Sequence, residues 1–185
     1  MQFTNTPDRY GWVAITLHWV ISIIVICMLA VGLYMVTLKL GPLKLDLFRY
    51  HKEFGILVLM LASLRLGWRL ANITPRYPDT MPWWQKGLAH SLHWLLYGFL
   101  FAMPITGYLL SCAAGFAPSF FGLFVVPPII APDDALASLF GTIHQWLAYS
   151  LIVLLCGHIG AALEHHFVEK DNILRRMLGI AREPK

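Results

Sequence analysis

Two histidines in the apolar stretch 141–167 have the spacing expected of metal ligands at two depths of a membrane. His144 and His158 lie 14 positions apart, which in an α-helix is a rotation of about 1400°, or about 40° short of four turns. Both imidazoles therefore share one helix face and lie about 21 Å apart along the axis. That distance covers most of the ~30 Å core of a bilayer. Because neutral imidazole is a common metal ligand, the spacing predicts two metal centres, one near each membrane surface.

Each centre needs a second ligand, and two other histidines fall at matching depths. His18 lies one to two turns inside the first apolar stretch, level with His158. His51 opens the second apolar stretch, level with His144. Four-helix bundles build cofactor sites from side chains on facing helices, and two opposed imidazoles suit the iron of a haem. We therefore predict two haem sites, one held by His18 and His158 and the other by His51 and His144.

Other metal chemistries fit the pattern less well. Zinc prefers four ligands clustered locally, and neither level offers a quartet of cysteines or carboxylates. The three cysteines, Cys27, Cys112 and Cys156, are scattered and indicate no disulfide framework. The absence of a CxxCH motif excludes a covalently attached c-type haem.

Two further polar residues fall at the level of His18 and His158. Arg65 lies 14 positions after His51 and so shares its face at the other depth. It would bind haem propionates or extend to the lipid headgroups. His165 lies seven positions after His158, about 20° short of two turns. It would either pass a proton to a reduced quinone or belong to a solvated helix end.

The composition is that of a membrane protein. The 185 residues are 58% hydrophobic and only 13% charged, and the mean hydropathy is +0.63. Four apolar stretches, about 12–36, 52–71, 90–112 and 141–166, are each near the ~20 residues that span a bilayer as a helix. We predict one all-α integral membrane four-helix bundle covering residues 1–185. The net charge of +4 comes from basic residues that flank the spans, which favours lipid contact over nucleic-acid binding.

The distribution of basic residues predicts an orientation. Ten lie on one side of the predicted bundle and four on the other. The ten are Arg9, Arg65, Arg69, Arg76, Lys86, Lys170, Arg175, Arg176, Arg182 and Lys185, and the four are Lys39, Lys44, Arg49 and Lys52. The positive-inside rule then predicts both termini in the cytoplasm of a bacterium, with the chain in its inner membrane and the connections 37–50 and 113–140 in the periplasm.

The periplasmic connection 113–140 is expected to cover the outer haem. It contains no Lys or Arg, is broken by prolines and glycines, and runs through the apolar patch 120–130. Asp133 and Asp134 predict the N-cap of a helix just before the fourth span. In the third span, Pro104 predicts a kink. His90 and His93 are neighbours at its start that could be alternative ligands, line a quinone pocket or be interfacial polar groups.

Five segments together resemble the bacterial cytochrome b561 family. They are LHW at His18, RYHKEFGILVLMLASLRL around His51, GLAHSLHWLLY around His90 and His93, MPITGYLL from Met103, and IHQWLAYSLIVLLCGHIGAALEHHFVEKDNILRRML. The resemblance covers nearly the whole chain. It implies a small di-haem membrane cytochrome with two non-covalent b-type haems and an electron-transfer link to quinone. It also implies that the haem ligands are His18, His51, His144 and His158.

The resemblance further implies superoxide:ubiquinone oxidoreductase activity. Superoxide carries one negative charge, and Lys39, Lys44, Arg49 and Lys52 cluster at the predicted outer mouth, where a positive field would speed its arrival. Ubiquinone would be reduced on the cytoplasmic side near Arg65 and His165. The alternative is a haem-bearing membrane anchor, because related di-haem subunits serve hydrogenases, formate dehydrogenases and thiosulfate reductases.

Overall fold

Four long helices dominate the computed structural model, which describes residues 2–180. They are α1 (Trp12–Thr37), α2 (Pro42–Ala71), α3 (Trp83–Ala113) and α4 (Asp134–Glu164). A π-helical turn, His165–Glu169, prolongs α4, and a short helix α5 (Ile173–Met177) follows. All four long helices are long and apolar enough to cross a membrane. Arg182 and Lys185, two of the ten basic residues counted for the orientation, lie outside the described residues.

Three helices begin well before the apolar stretches that predict them. The starts expected at 52 and 90 are corrected to Pro42 and Trp83, whereas α4 begins at Asp134, where Asp133 and Asp134 predict a helix start before the fourth apolar stretch. The connection expected over 37–50 is therefore mostly helix. Pro42 stands in the first helical turn, where its missing N–H costs nothing, and the Leu, Lys and Arg residues that follow are good helix formers. Hydropathy marks only the lipid-facing part of each helix, so it misses these polar ends.

Consecutive helices pack side by side, α1 against α2, α2 against α3 and α3 against α4. The core lies midway along the bundle, where Ile21, Val25, Val58 and Leu151 are buried together. Large apolar side chains such as Ile23, Val36 and Val153 are exposed on the outer surface, as expected of helices that face lipid. An apolar layer therefore separates the two ends of the bundle.

The two ends differ in what covers them. At one, hereafter the terminal end, residues 2–11, the connection 72–82 and α5 meet: Arg76 N–H donates to the Pro7 carbonyl at 2.8 Å and Trp19 Nε1 donates to the Met177 carbonyl at 2.8 Å. The other, hereafter the cap end, carries the short connection 38–41 and the segment 114–133. We call that segment the cap.

The cap is anchored to α2 by three consecutive residues. Lys52 Nζ lies 4.9 Å from the ring centroid of Phe116, Glu53 Oε1 accepts a hydrogen bond of 3.1 Å from Ser119 Oγ, and the Phe54 and Phe121 ring centroids are 5.2 Å apart. Within the cap, Ser119–Phe120 pairs with Phe124–Val125 as a two-stranded antiparallel hairpin. The predicted N-cap is confirmed, because Asp133 accepts a 2.9 Å hydrogen bond from the Leu136 N–H.

Candidate functional site

Two histidines on different helices face each other at the cap end. His51 lies in the third turn of α2 and His144 in the third turn of α4. Their ring centroids are 6.3 Å apart and the ring planes make an angle of 78°. Both side chains are partly buried within the bundle.

A second pair has nearly the same geometry toward the terminal end. His18 of α1 and His158 of α4 have ring centroids 6.2 Å apart with an interplanar angle of 71°. The two members that lie on α4 are His144 and His158, so one helix contributes a ligand candidate at each level. The structure thus brings together the four histidines in the two pairs that depth and register predict.

The separation within each pair matches one metal ion between two imidazoles. An imidazole nitrogen lies about 1.1 Å from its ring centroid and binds a transition metal at about 2.0–2.1 Å, so two rings on opposite sides of one metal have centroids about 6.3 Å apart. The observed 6.2 Å and 6.3 Å agree with this value. Among residues 2–180, no group of three or more His, Cys, Asp or Glu side chains is arranged to hold a metal. A pair of imidazoles without a third protein ligand is a donor set that would suit a haem iron.

Glycines make room for both rings at the cap end. A Cβ atom at Gly107 would lie 3.0 Å from His144 Cε1, and one at Gly32 would lie 3.1 Å from His51 Cε1. Real Cβ contacts are rarely so close, so each ring fills a space that only glycine leaves open. The Cε1 corner of His144 therefore lies close to the backbone of α3, and that of His51 lies close to the backbone of α1.

Thr106 orients His144, and the sequence analysis missed this residue. Its Oγ1 lies 2.8 Å from the Ala102 carbonyl and 3.1 Å from His144 Nδ1. The hydroxyl has one proton, which goes to the carbonyl, so toward the imidazole it acts as an acceptor. His144 Nδ1 then carries the ring proton, and the lone pair of Nε2 is left free to bind a metal. His51 Nδ1, by contrast, is buried without a hydrogen-bond partner among residues 2–180.

A third imidazole stands beside the pair nearer the terminal end. His93 of α3 has its ring centroid 5.6 Å from that of His158, with an interplanar angle of 73°. His90 is exposed, and its Nε2 accepts a 3.1 Å hydrogen bond from Trp94 Nε1. His93 therefore belongs to this level of the bundle, whereas His90 lies on its surface.

Arg65 and His165 also lie toward the terminal end. Arg65 Nη1 donates a 3.1 Å hydrogen bond to the carbonyl of Ala14, one turn before His18. His165 is buried, and its Nδ1 lies 2.7 Å from Asp171 Oδ2. The π-helical turn and the left-handed Lys170 (φ 56°) fold the chain back to make this contact. His165 is therefore part of an imidazole–carboxylate pair rather than of a solvated helix end.

The four basic residues expected at the outer mouth all lie at the cap end, but their charges are not equally free. Lys39 is exposed, Lys44 Nζ donates to the Leu38 carbonyl at 2.8 Å, and Lys52 stacks on Phe116. Arg49 lies 3.5 Å from Asp46 and 3.6 Å from Glu53. Two carboxylates thus offset much of the Arg49 charge.

Glu53 is the second residue near the site that the sequence analysis missed. It is only 2% exposed and lies two residues after His51. Ser119 donates to Oε1, whereas Oε2 has an ion pair with Arg49 at 3.6 Å but no hydrogen bond. A carboxylate buried this deeply is rare unless it is paired. Glu53, which lies on the same helix as His51, therefore contacts both the cap, through Ser119, and the basic residue Arg49.

Comparison with known proteins gives consistent matches over the whole fold. A family model described as prokaryotic cytochrome b561 matches residues 9–179. Cytochrome b561 homolog 2 of Escherichia coli (strain K12) is 42% identical over 186 aligned positions, covering 97% of this chain and 96% of the relative. Cytochrome b561 homolog 1 of the same organism is 33% identical, with 92% and 97% covered. A probable superoxide oxidase CybB of Yersinia pestis is 29% identical, with 92% and 96% covered.

Proposed function

The chain belongs to the prokaryotic cytochrome b561 family of membrane electron-transfer proteins, and from that premise we propose that it binds two b-type haems and carries electrons across the bilayer from superoxide to ubiquinone. Two haems are supported by the two pairs of imidazoles that lie at opposite ends of one apolar core. Within these pairs the ring centroids are 6.2 Å and 6.3 Å apart. His51 and His144 would hold one haem, and His18 and His158 the other.

The bound haem iron would supply one-electron redox chemistry that no side chain here provides. The protein would contribute the imidazole ligands, whose identity affects the reduction potential, and would orient His51 and His144 through Thr106 and the two glycines. The buried side chains Ile21, Val25, Val58 and Leu151 would exclude water and ions from the space between the two levels. Charge would then cross this layer only as electrons.

We propose that the terminal end faces the cytoplasm of a bacterial cell and that the cap end faces the periplasm. The support is the count of basic residues, which cluster at the ends of the helices and in the connections of the terminal end. The protein would then be a multi-pass protein of the inner membrane, in contact with lipid through its apolar surface.

Superoxide is the proposed donor. One relative of this chain is named a probable superoxide oxidase, and the cap end presents Lys39, Lys44, Arg49 and Lys52 beside His51. A positively charged surface raises the encounter rate with an anion, and this effect weakens as the salt concentration rises. Each superoxide would lose one electron and leave as dioxygen, so no proton is needed at the cap end.

Ubiquinone is the proposed acceptor, at the terminal end. Its reduction to quinol takes two electrons and two protons, so two superoxide anions are consumed for each quinone. His165 would donate a proton from Nε2, because Asp171 holds its Nδ1. Arg65 would bind an anionic group of the inner haem, and its proximity to Ala14 and hence to the His18 turn supports this role.

The decisive experiment uses the purified protein in nanodiscs with ubiquinone and pulsed superoxide. The proposed activity predicts quinol formation with a stoichiometry of one quinol per two superoxide anions, without any other protein. If the haems are present but quinol forms only when a partner dehydrogenase is added, the chain is instead a haem-bearing membrane anchor. His144→Ala and His158→Ala are the matched variants, and each should abolish the superoxide-driven reaction.

A further inference from the structure

A cationic pocket lies at the terminal end between α1, α2 and α3. Tyr10, Arg65, Trp68, Arg69 and Tyr97 line it around a small cavity of about 20 Å³. Arg65 and Arg69 are one helical turn apart on α2, so both guanidinium groups reach the same space. The cavity has room for a small group such as a carboxylate, but not for a whole cofactor.

Neither arginine of the pocket is paired with an acidic side chain in the part of the chain that the structure describes. The Arg69 guanidinium carbon lies 5.7 Å from the Tyr97 ring centroid and 5.8 Å from that of Trp94, and Arg65 donates to a backbone carbonyl. Within residues 2–180, no Asp or Glu lies within ion-pair distance of either guanidinium. Two partly buried cations without a counter-ion cost free energy, especially near a membrane core.

Two further side chains of the pocket, Trp68 and Tyr10, are hydrogen-bond donors. Trp68 Nε1 is buried and has no hydrogen-bond partner among the described residues, and a buried donor left unpaired is destabilising. Burial raises the pKa of the Tyr10 hydroxyl above its ordinary value. Tyr10 therefore stays protonated at neutral pH and can donate as well. Two cations and two neutral donors around one cavity form a set that an oxyanion would satisfy.

We propose that this pocket binds an oxyanion, a carboxylate or phosphate group, between Arg65, Arg69 and Trp68. Guanidinium groups bind both groups with paired hydrogen bonds. The carboxylate would be a propionate of the haem held by His18 and His158, and in that form the inference rests on the proposed function. The phosphate would be that of an anionic phospholipid. The role of Arg69 is then anion binding, beyond the aromatic contacts that its side chain makes.

The test compares Arg69→Gln and Trp68→Phe with Lys86→Gln, which removes a basic side chain at the same end but outside the pocket. Trp68→Phe removes only the N–H donor and keeps most of the packing, so it guards against simple unfolding. Three quantities are measured on the holoprotein: the haem count, the propionate-bending bands in resonance Raman spectra, and Tm in nanodiscs of phosphatidylglycerol or phosphatidylcholine.

If a haem carboxylate occupies the pocket, both pocket variants keep two haems but shift the propionate-bending bands, and Lys86→Gln does not. If a lipid phosphate occupies it, wild type has a higher Tm in phosphatidylglycerol than in phosphatidylcholine, and both pocket variants lose that difference. Either result supports the oxyanion site. Unchanged Raman bands together with an unchanged lipid dependence would overturn it. A wild-type protein without haem would instead refute the proposed function, and the lipid measurement would still test the pocket.

Discussion

Thr106 Oγ1 lies 3.1 Å from His144 Nδ1 and 2.8 Å from the carbonyl of Ala102. The threonine thus fixes which nitrogen of His144 carries the proton and leaves Nε2 free to bind a metal. Pro104, two residues earlier, cannot donate a backbone N–H, and Thr106 also lies 2.9 Å from the Met103 carbonyl. The side chain that bonds these two helix carbonyls also orients the histidine.

Thr106→Val is expected to weaken haem binding at the cap end. The isosteric valine removes the acceptor for His144 Nδ1–H, and losing such an outer-shell partner reduces metal affinity by about 10–100-fold. Haem retention is measured by competition with an apo haem-binding protein. Thr142→Val is the control, because Thr142 makes the same kind of bond to the Ser138 carbonyl without touching a histidine. Equal haem retention in both variants would contradict the assigned role.

Gly107→Ala should reduce the haem content from two to about one per chain. The new methyl group would lie 3.0 Å from His144 Cε1 and push the ring off its position. Gly98→Ala in the same helix is the matched control, since nothing lies within 4 Å of a Cβ there. It should keep both haems and gain up to about 1 kcal/mol of helix propensity. The pyridine haemochrome assay gives the haem count of both variants. Two haems in Gly107→Ala would show that the His144 site tolerates the added methyl group.

Removing positive charge at the cap end should lower the rate of superoxide arrival, and removing negative charge there should raise it. Replacing Lys39, Lys44, Arg49 and Lys52 by glutamine is expected to lower the second-order rate about tenfold at low salt and to flatten its salt dependence. Asp46→Asn should raise the rate, because it releases Arg49 from one of its two carboxylates. Pulse radiolysis measures both. A rate that is insensitive to all five substitutions would rule out electrostatic steering.

Asp171→Asn should slow quinone reduction without affecting the cap end. The asparagine can still cap Ile173 N–H through its side-chain oxygen, but it no longer holds His165 Nδ1–H as a carboxylate does. We expect kcat for ubiquinone to fall about 100-fold, with little change in KM, while haem reduction by superoxide is unchanged. Asp171→Glu should restore part of the rate. Exposed Asp79, in the same end of the molecule, is the control as Asp79→Asn. A normal kcat in Asp171→Asn would remove the pair from the proton path.

The pairing of the four histidines could be predicted from the sequence because it depends on two constants of the α-helix, the rotation and the rise per residue. His144 and His158 share a helix face regardless of the conformation of the connecting loops. The helix starts were harder to predict from the sequence. Pro42 is ring-constrained and Lys44 is polar, so hydropathy alone places them in a connection, whereas in the structure α2 begins at Pro42 and includes Lys44.

The contacts of Glu53 and His165 could not be predicted, for different reasons. Glu53 meets Ser119, which is 66 positions away, and only the folded cap brings the two together. Asp171 is close in sequence to His165, but the contact depends on a π-helical turn and a left-handed Lys170. Neither feature has a pattern of apolar and polar residues that would reveal it.

The proposed haem ligands are His51 with His144 for one haem and His18 with His158 for the other. The most direct measurement is a reduced-minus-oxidised spectrum with a haem count for wild type, His144→Ala, His158→Ala and the double variant. This assignment of ligands predicts two low-spin b-type haems in wild type, one in each single variant and none in the double variant. A wild-type protein without haem, or a double variant that keeps both haems, would contradict it.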